Sequence, residues 1–267
     1  MNTAPSLDAS ITPRDHGAVT RPPIELDVLV VGGGISGLLT LDALHRQGCA
    51  ACLIERTALG HGQTIWSQGI IHGGLKYALG GVAGSASKAI AEMPETWRSM
   101  FRGEAMPDLS GVRLRSDDCA IWATDGASSI AGLLGAKLAL QTKPTVWKND
   151  ERPEVLQLHS GRVLRVAEPV LEPLSLLTVL AERHAERLIH GNVTQMDISG
   201  EHPKVSFSID AETHFIHADR IVITAGLGTE QLYGQLRGST DAPPRMQQRP
   251  LRMVMARGDL PVLNGHC

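Results

Sequence analysis

Aromatic side chains are scarce in this chain: 3 Phe, 4 Trp and 2 Tyr stand among 267 residues. A core of stacked rings is thereby excluded. Leu, Ile, Val and Ala must fill the interior of a chain that is 42% hydrophobic and long enough for one large domain or two interleaved ones. Cysteine is scarce too. Cys49, Cys52, Cys119 and Cys267 are too few for a disulfide scaffold, and no apolar segment near the N-terminus marks a secretory signal, so a reducing, cytoplasmic compartment is expected. Neither sign of charge dominates: 25 Lys and Arg against 28 Asp and Glu leave a net −3, which speaks against a nucleic-acid partner and against an acidic tail. Long apolar runs are also missing. The best of them, Val28–Leu44, is broken by Gly32, Gly33, Gly34, Gly37 and Asp42, so no membrane span is expected. What the chain has in excess is glycine, 28 residues, above the usual share of about 7% and a sign of tight turns or close backbone approaches.

Residues 1–24 carry four prolines and no apolar periodicity and read as a mobile leader, with order expected from Leu26. Asp27–Val31 (DVLVV) is a β-branched run of the kind buried in a parallel sheet. Ser36–Gln47 reads as a helix with Leu38, Leu41 and Leu44 on one face and Gly48 beyond its end, and Ala51–Ile54 as a second strand ending in Glu55. Together they form one βαβ unit. Further on, residues 112–124 predict a hairpin around Ser116-Asp117-Asp118, Ser128–Leu140 a helix, and Val155–Ala167 a second hairpin across Ser160-Gly161. Ser175–Ile189 predicts a helix, followed by strands at Val193–Ile198, Lys204–Ile209 and Arg220–Thr224.

Gly32, Gly34 and Gly37 spell G-x-G-x-x-G between strand and helix, and Glu55 follows Gly32 by 23 residues. Gly32 permits the tight turn, Gly34 lets a pyrophosphate approach the backbone, and Gly37 lets helix and strand pack closely. The helix N-terminus offers free N–H groups, and Glu55 can accept ribose hydroxyls. Such a unit binds a dinucleotide.

Which dinucleotide is suggested by the glycine-dense stretch HGQTIWSQGIIHGGLKYALGG, residues 61–81. It resembles the segment of D-amino-acid-oxidase-type FAD enzymes that crosses the pyrophosphate and passes under the flavin. IIHGGLKY, Ile70–Tyr77, is most similar to the branch of glycerol-3-phosphate dehydrogenases and 2-hydroxyglutarate oxidases. GNVTQMDI, Gly191–Ile198, and ADRIVITAG, Ala218–Gly226, resemble two further family segments in the same order. The resemblance implies an α/β fold: a Rossmann-like FAD-binding domain (25–89 and 167–235) interleaved with a smaller, mostly antiparallel substrate domain (90–166 and 236–267). It implies FAD as cofactor and oxidation of a CH–OH centre, or a CH–NH centre, of a small anionic substrate, with the electron acceptor open. Gly32, Gly34 and Gly37 would meet the pyrophosphate and Glu55 the ribose. Gln63, Thr64, Ser67 and Gln68 would face phosphates and ribityl oxygens, Gly69 to Ile71 would lie along the flavin ring, Val193 would bond adenine, and Ala225 and Gly226 would approach from the second strand.

His72 adjoins the flavin-facing backbone and is the candidate proton acceptor, the alternative being a histidine that only fixes the loop. Lys76 is either a partner for an anion or a solvated lysine. Arg249 and Arg252 are either a carboxylate clamp or exposed charges on an edge strand. Cys49-Ala-Ala-Cys52 has redox spacing but spans the helix end and second strand, where packing explains it. His214 and His217 fall on opposite faces of a strand, so no metal site is expected. Gly84–Lys88 lacks the spacing of a phosphate loop. The family carries another glycine-rich segment beyond the point where this chain stops, Asn264-Gly265-His266-Cys267, so the chain reads as C-terminally truncated. Two rival readings follow: a non-catalytic dinucleotide-binding remnant and a plain NAD-binding protein.

Overall fold

The computed structural model describes residues 22–74, 90–122, 144–239, 242, 246, 247, 254 and 258–266. The expected helix Ser128–Leu140, the residues Lys76, Arg249, Arg252 and Cys267, the segment Gly84–Lys88 and leader residues 1–21 lie outside these.

The chain runs β1 (Ile24–Val31), α1 (Ile35–Arg46), β2 (Ala51–Glu55), α2 (Met93–Phe101), β3 (Leu114–Ser116), β4 (Cys119–Trp122) and β5 (Thr145–Val146). It continues with α3 (Glu154–Gln157), β6 (Val163–Val166), β7 (Val170–Leu171), α4 (Pro173–Arg183), β8 (Leu188–His190), β9 (Asn192–Asp197) and β10 (Lys204–Ile209). The last elements are β11 (Glu212–Ile223), α5 (Thr229–Gly234), β12 (Leu236–Arg237) and β13 (Gly265–His266). Seven strands form one sheet in the order β12-β9-β10-β11-β1-β2-β8, four form β13-β4-β6-β5, and β3 pairs with β7. The large sheet is parallel from β11 through β1 and β2 to β8, while β9, β10 and β11 form an antiparallel meander. The architecture is α/β: a Rossmann-like parallel sheet accompanied by smaller, mainly antiparallel sheets.

Alternation along β1 sends its side chains to opposite faces. Val28 and Val30 pack with Leu38 and Leu41 of α1 and Leu176, Leu177 and Leu180 of α4. Leu29 and Val31 pack with Val193, Met196, Val205, Phe207 and Ile216 on the other face. Phe207 is the one Phe, Tyr or Trp among the fully buried large side chains of the described residues, so aliphatic residues do most of the filling. The helix layer is tied by a buried ion cluster. Asp42 Oδ1 lies 3.0 Å from Arg183 Nη1 and 3.0 Å from His184 Nε2, and its Oδ2 accepts Arg46 Nε at 2.7 Å. Burial pushes the Asp42 carboxyl up, but the bonds from Arg46, His184 and Arg183 outweigh it and hold the group below its ordinary value.

Four expectations need correction. β1 starts at Ile24, because Ile24, Glu25 and Leu26 pair with Ile216, His217 and Ala218. Residues 112–124 are no hairpin: β3 joins β7, while β4 joins β6. Arg113 donates its N–H to Ser175 Oγ at 2.9 Å and accepts Glu172 N–H at 2.9 Å, which draws β3 to the α4 end rather than to β4. Val155–Ala167 is no hairpin either, since its first half is α3. There the buried Arg152 guanidinium takes the carbonyls of Trp147, His159 and Gly161, which folds the segment around one side chain rather than leaving it extended. Finally, helix α4 ends at Arg183, and Leu188–His190 becomes an edge strand parallel to β2. The long-range pairing Leu53–Leu188 overrides local helical periodicity.

Candidate functional site

The turn after β1 is built by backbone crowding. Gly32 has φ 117°, and a Cβ there would lie 2.8 Å from Ala225 Cα; at Gly37 a Cβ would lie 2.0 Å from the Gly32 carbonyl oxygen. Thr224 closes the turn from β11, donating its N–H to Val31 O at 2.8 Å and its hydroxyl to Gly32 O at 2.9 Å. Gly34 is different. A Cβ on it would touch only Thr64 Oγ1, at 3.3 Å, so its backbone is bare on the side where α1 begins. The free N–H groups of that helix end attract anions, and Thr64 Oγ1 already accepts one of them, from Ile35, at 3.1 Å.

On one side of the α1 N-terminus is a cavity of about 350 Å³ that brings together Gly32, Glu55, Val193 and Ala225. Arg56, Thr57, His61, Asn192 and Gln231 also line it, and none of these was singled out from sequence because nothing local marks them. Glu55 Oε2 accepts the Gly33 N–H at 2.7 Å, and its Oε1 accepts the Thr57 N–H and hydroxyl at 2.8 Å each. Burial raises the Glu55 carboxyl, but the bonds from Gly33, Thr57 and Arg56 outweigh it and hold the group below its ordinary value.

On the other side is a cavity of about 360 Å³, lined by Thr64, Ser67, Gln68, Gly69, Ile71 and His72 together with Ile35, Trp97 and Leu176. Its wall is a strip that runs antiparallel to residues 168–171. Gly69 O accepts Leu171 N–H at 2.9 Å, Ile70 bridges Val170, and Ile71 N–H donates to Pro169 O at 2.9 Å. Gly69 has φ 73°, and a Cβ there would lie 2.1 Å from Leu171 O. Its glycine is therefore demanded by this protein contact. Continuing the register sets His72 opposite Glu168, with Nδ1 3.2 Å from Oε2, while Gly73 N–H donates to Oε1 at 2.7 Å. Glu168 is 1% exposed. Sequence reasoning missed it, since the two residues stand 96 positions apart and no local signal couples them.

Gly34, Gly37, Gln63 and Gly226 line neither cavity; Gln63 is exposed, and Gly226 opens a 3-10 turn with φ 54°. Cys49, Cys52 and Cys119 are free thiols. Burial pushes Cys52 up, and burial followed by the Glu168 and Asp118 charges pushes Cys119 up to about 12, which keeps both protonated and unreactive. His214 stacks on Phe207, whereas His217 Nδ1 meets Glu25 at 2.9 Å.

A glycine turn at a helix N-terminus, an acid ending the next strand and a cavity on either side form a frame for a dinucleotide. Residues 27–261 match the family described as FAD dependent oxidoreductase. The chain belongs to this family. It is 38% identical over 248 residues to the probable FAD-dependent oxidoreductase PA4991 of Pseudomonas aeruginosa, covering 91% of this chain and 62% of that protein. The chain thus spans less than two thirds of that relative's length. The crystal structure of PA4991 superposes with a TM-score of 0.62 at 30% identity, over 81% of this chain and 52% of that one. Glycerol-3-phosphate dehydrogenase 1 of Mycobacterium tuberculosis is 43% identical over 68 residues, 25% of this chain and 13% of that protein. The FAD-bound L-alpha-glycerophosphate oxidase of Mycoplasma pneumoniae shares the fold, with a TM-score of 0.57 at 17% identity over 79% of this chain and 57% of that one.

The residues present fit the family's cofactor. The bare Gly34 backbone leaves space that a Cβ would take, and Gly32 of one cavity and Ile35 of the other flank the positive end of α1, where a pyrophosphate is stabilised. Among the described residues, no helix is long and apolar enough to cross a membrane.

Proposed function

We propose that this chain binds FAD across the α1 N-terminus and supports oxidation of a CH–OH centre of a small anionic substrate. The observation that carries the reading is the pair of cavities flanking the Gly32–Ile35 turn, one holding Glu55 and Val193, the other His72. In this reading Gly32, Gly34 and Gly37 admit the pyrophosphate, Glu55 takes the ribose, Val193 meets adenine through its backbone, and Ala225 with Gly226 closes that side. Gln63, Thr64, Ser67 and Gln68 offer donors to phosphate and ribityl oxygens, and Gly69 and Ile71 border the flavin ring. FAD, when bound, supplies the acceptor for the hydride that leaves the substrate carbon. The chain's own task is to orient that carbon and to take the hydroxyl proton, which falls to His72. The apolar wall of Ile35, Trp97 and Leu176 excludes water from the reacting centre.

A hydroxyl substrate is favoured over an amine by the local similarity to glycerol-3-phosphate dehydrogenase 1. The division into an FAD-binding unit (25–89 and 167–235) and a substrate unit (90–166 and 236–267) is supported by most of the strands, since β1, β2 and β8–β11 build the large sheet and β4–β6 with β13 a small one, while β12 at Leu236–Arg237 joins the large sheet and β7 at Val170–Leu171 pairs with β3 across the division. The three free thiols support a cytoplasmic, reducing location.

Reconstitution with FAD tests the reading. Bound flavin is expected to give visible absorption bands, raise Tm and bleach anaerobically with glycerol 3-phosphate or a 2-hydroxy acid. Stabilisation by NADH and not by FAD would overturn it in favour of an NAD-binding protein. Flavin that binds but bleaches with no hydroxy or amino substrate would favour a non-catalytic binding protein.

A further inference from the structure

We propose that the side-chain carbonyl of Gln235 reads the base of the bound dinucleotide, accepting a hydrogen bond from the exocyclic amino group of adenine. The inference rests on the reading that the first cavity takes the adenosine half of the ligand, and it names the group that makes this cavity selective for adenine.

Gln235 follows α5 directly. Its N–H donates to Leu232 O at 3.0 Å, and the next residue, Leu236, opens β12 beside Met196 of β9, so the backbone that carries it is held from both sides. The residue lines the cavity of about 350 Å³ that also holds Glu55 and Val193. Gly191 N–H donates to Glu55 O at 2.9 Å, which sets the start of β9 beside the acid proposed to take the ribose. Val31, Ile54, Val193 and Leu232 line the same space and belong to one apolar cluster. Such a wall suits the faces of a purine, and a few polar groups then fix its identity.

One polar atom on this wall lacks a partner. Gln235 is half-buried, and its Oε1 is enclosed by protein with no hydrogen bond to it among the described residues. Arg56, Asn192 and Gln231 on the same wall are exposed and reach water. An enclosed acceptor without a donor is a standing penalty on the unliganded protein, and a ligand that brings the donor removes it. The terminal torsion of a glutamine is broad, so the amide turns in place to present its oxygen to a group in the cavity. A carbonyl oxygen can only accept. The ring nitrogens of adenine are acceptors as well, which leaves the exocyclic amino group as the donor on the base.

The test measures, by titration calorimetry on the protein without FAD, the affinity for ADP and for the analogue of ADP whose base carries hydrogen in place of the amino group. ADP is expected to bind about 5- to 100-fold more tightly. Gln235→Leu is expected to abolish that preference by weakening ADP alone, whereas Gln231→Leu keeps it. Equal affinities in the wild type, no binding of ADP, or a preference that survives Gln235→Leu overturns the proposal. If Gln235→Leu does not fold, Gln235→Met takes its place in the comparison. Titrations with FAD and NADH supply the second arm. A preference that depends on Gln235 in a protein that binds NADH and not FAD upholds the base reader and overturns the flavin reading. FAD binding without such a preference does the reverse, so the two fail separately.

Discussion

The carboxylate of Glu55 holds the amide of Gly33, from Oε2 to N at 2.7 Å, across 22 residues of chain. The acid that ends β2 therefore shapes the glycine turn that ends β1. A second oxygen of the same group collects the Thr57 N–H and hydroxyl, so the approach to the first cavity is organised around one negative charge.

Glu55→Gln is expected to lose about 1–3 kcal/mol of stability near neutral pH. Because the folded state holds this carboxyl below its ordinary value of 4.5, the unfolded chain binds more protons in the interval between the two values. The contribution is complete above the ordinary value and disappears as pH falls through the lowered folded one. Urea unfolding of both proteins at about pH 7 and at successively lower pH should show the gap closing.

Gly34→Ala and Gly37→Ala should separate binding from folding. At Gly34 a Cβ meets only Thr64 Oγ1, at 3.3 Å, and the backbone sits at φ −77°, so the hydroxyl must give by a few tenths of an ångström and stability should fall by less than the loss of the Thr64–Ile35 bond, about 0.5–2 kcal/mol, while FAD retention drops. At Gly37 a Cβ lies 2.0 Å from Gly32 O, and forcing α1 away from the turn should cost about 1–3 kcal/mol or more. Thermal melts with and without FAD distinguish the two.

Asp42→Ala leaves Arg46, Arg183 and the fully buried His184 without their shared anion. A loss of about 3–5 kcal/mol is expected, as for other broken buried ion pairs. The difference should again shrink in acid, because Asp42 is held below its ordinary 3.8 when folded and its contribution vanishes as pH falls through that lowered value. Denaturant titration of the two proteins measures both effects.

Thr64→Val removes the oxygen that accepts Ile35 N–H at 3.1 Å. A loss of about 0.5–2 kcal/mol is expected, as for a deleted helix cap. Thr64→Ser should restore most of the wild-type Tm. Failure of serine to rescue would assign the effect to lost packing by the methyl group instead.

The β1–turn–α1–β2 unit was legible because each of its signals is local. Apolar β-branched residues in Val28–Val31, glycines at 32, 34 and 37, and Leu38 and Leu41 one turn apart all act within a few residues of where they stand. The same locality misled the reading elsewhere. Leu188 and Ile189 continue the helical pattern of α4, yet they pair with Leu53 and Ile54. Likewise Leu114 and Ile121 alternate like two arms of one hairpin, yet their partners are Leu171 and Leu164. Gly69 was expected to lie along the flavin ring, and the contact found there is Leu171.

By itself the sequence determined a dinucleotide-type βαβ unit, its glycines and the acid at its end, since these depend on backbone conformations that neighbouring residues impose. Tertiary structure alone decided which strands pair, where Arg152 and Asp42 find their partners, and that His72 faces Glu168. Those relations join residues far apart in the chain, and a buried charge acquires its partner only when the register of distant segments is set.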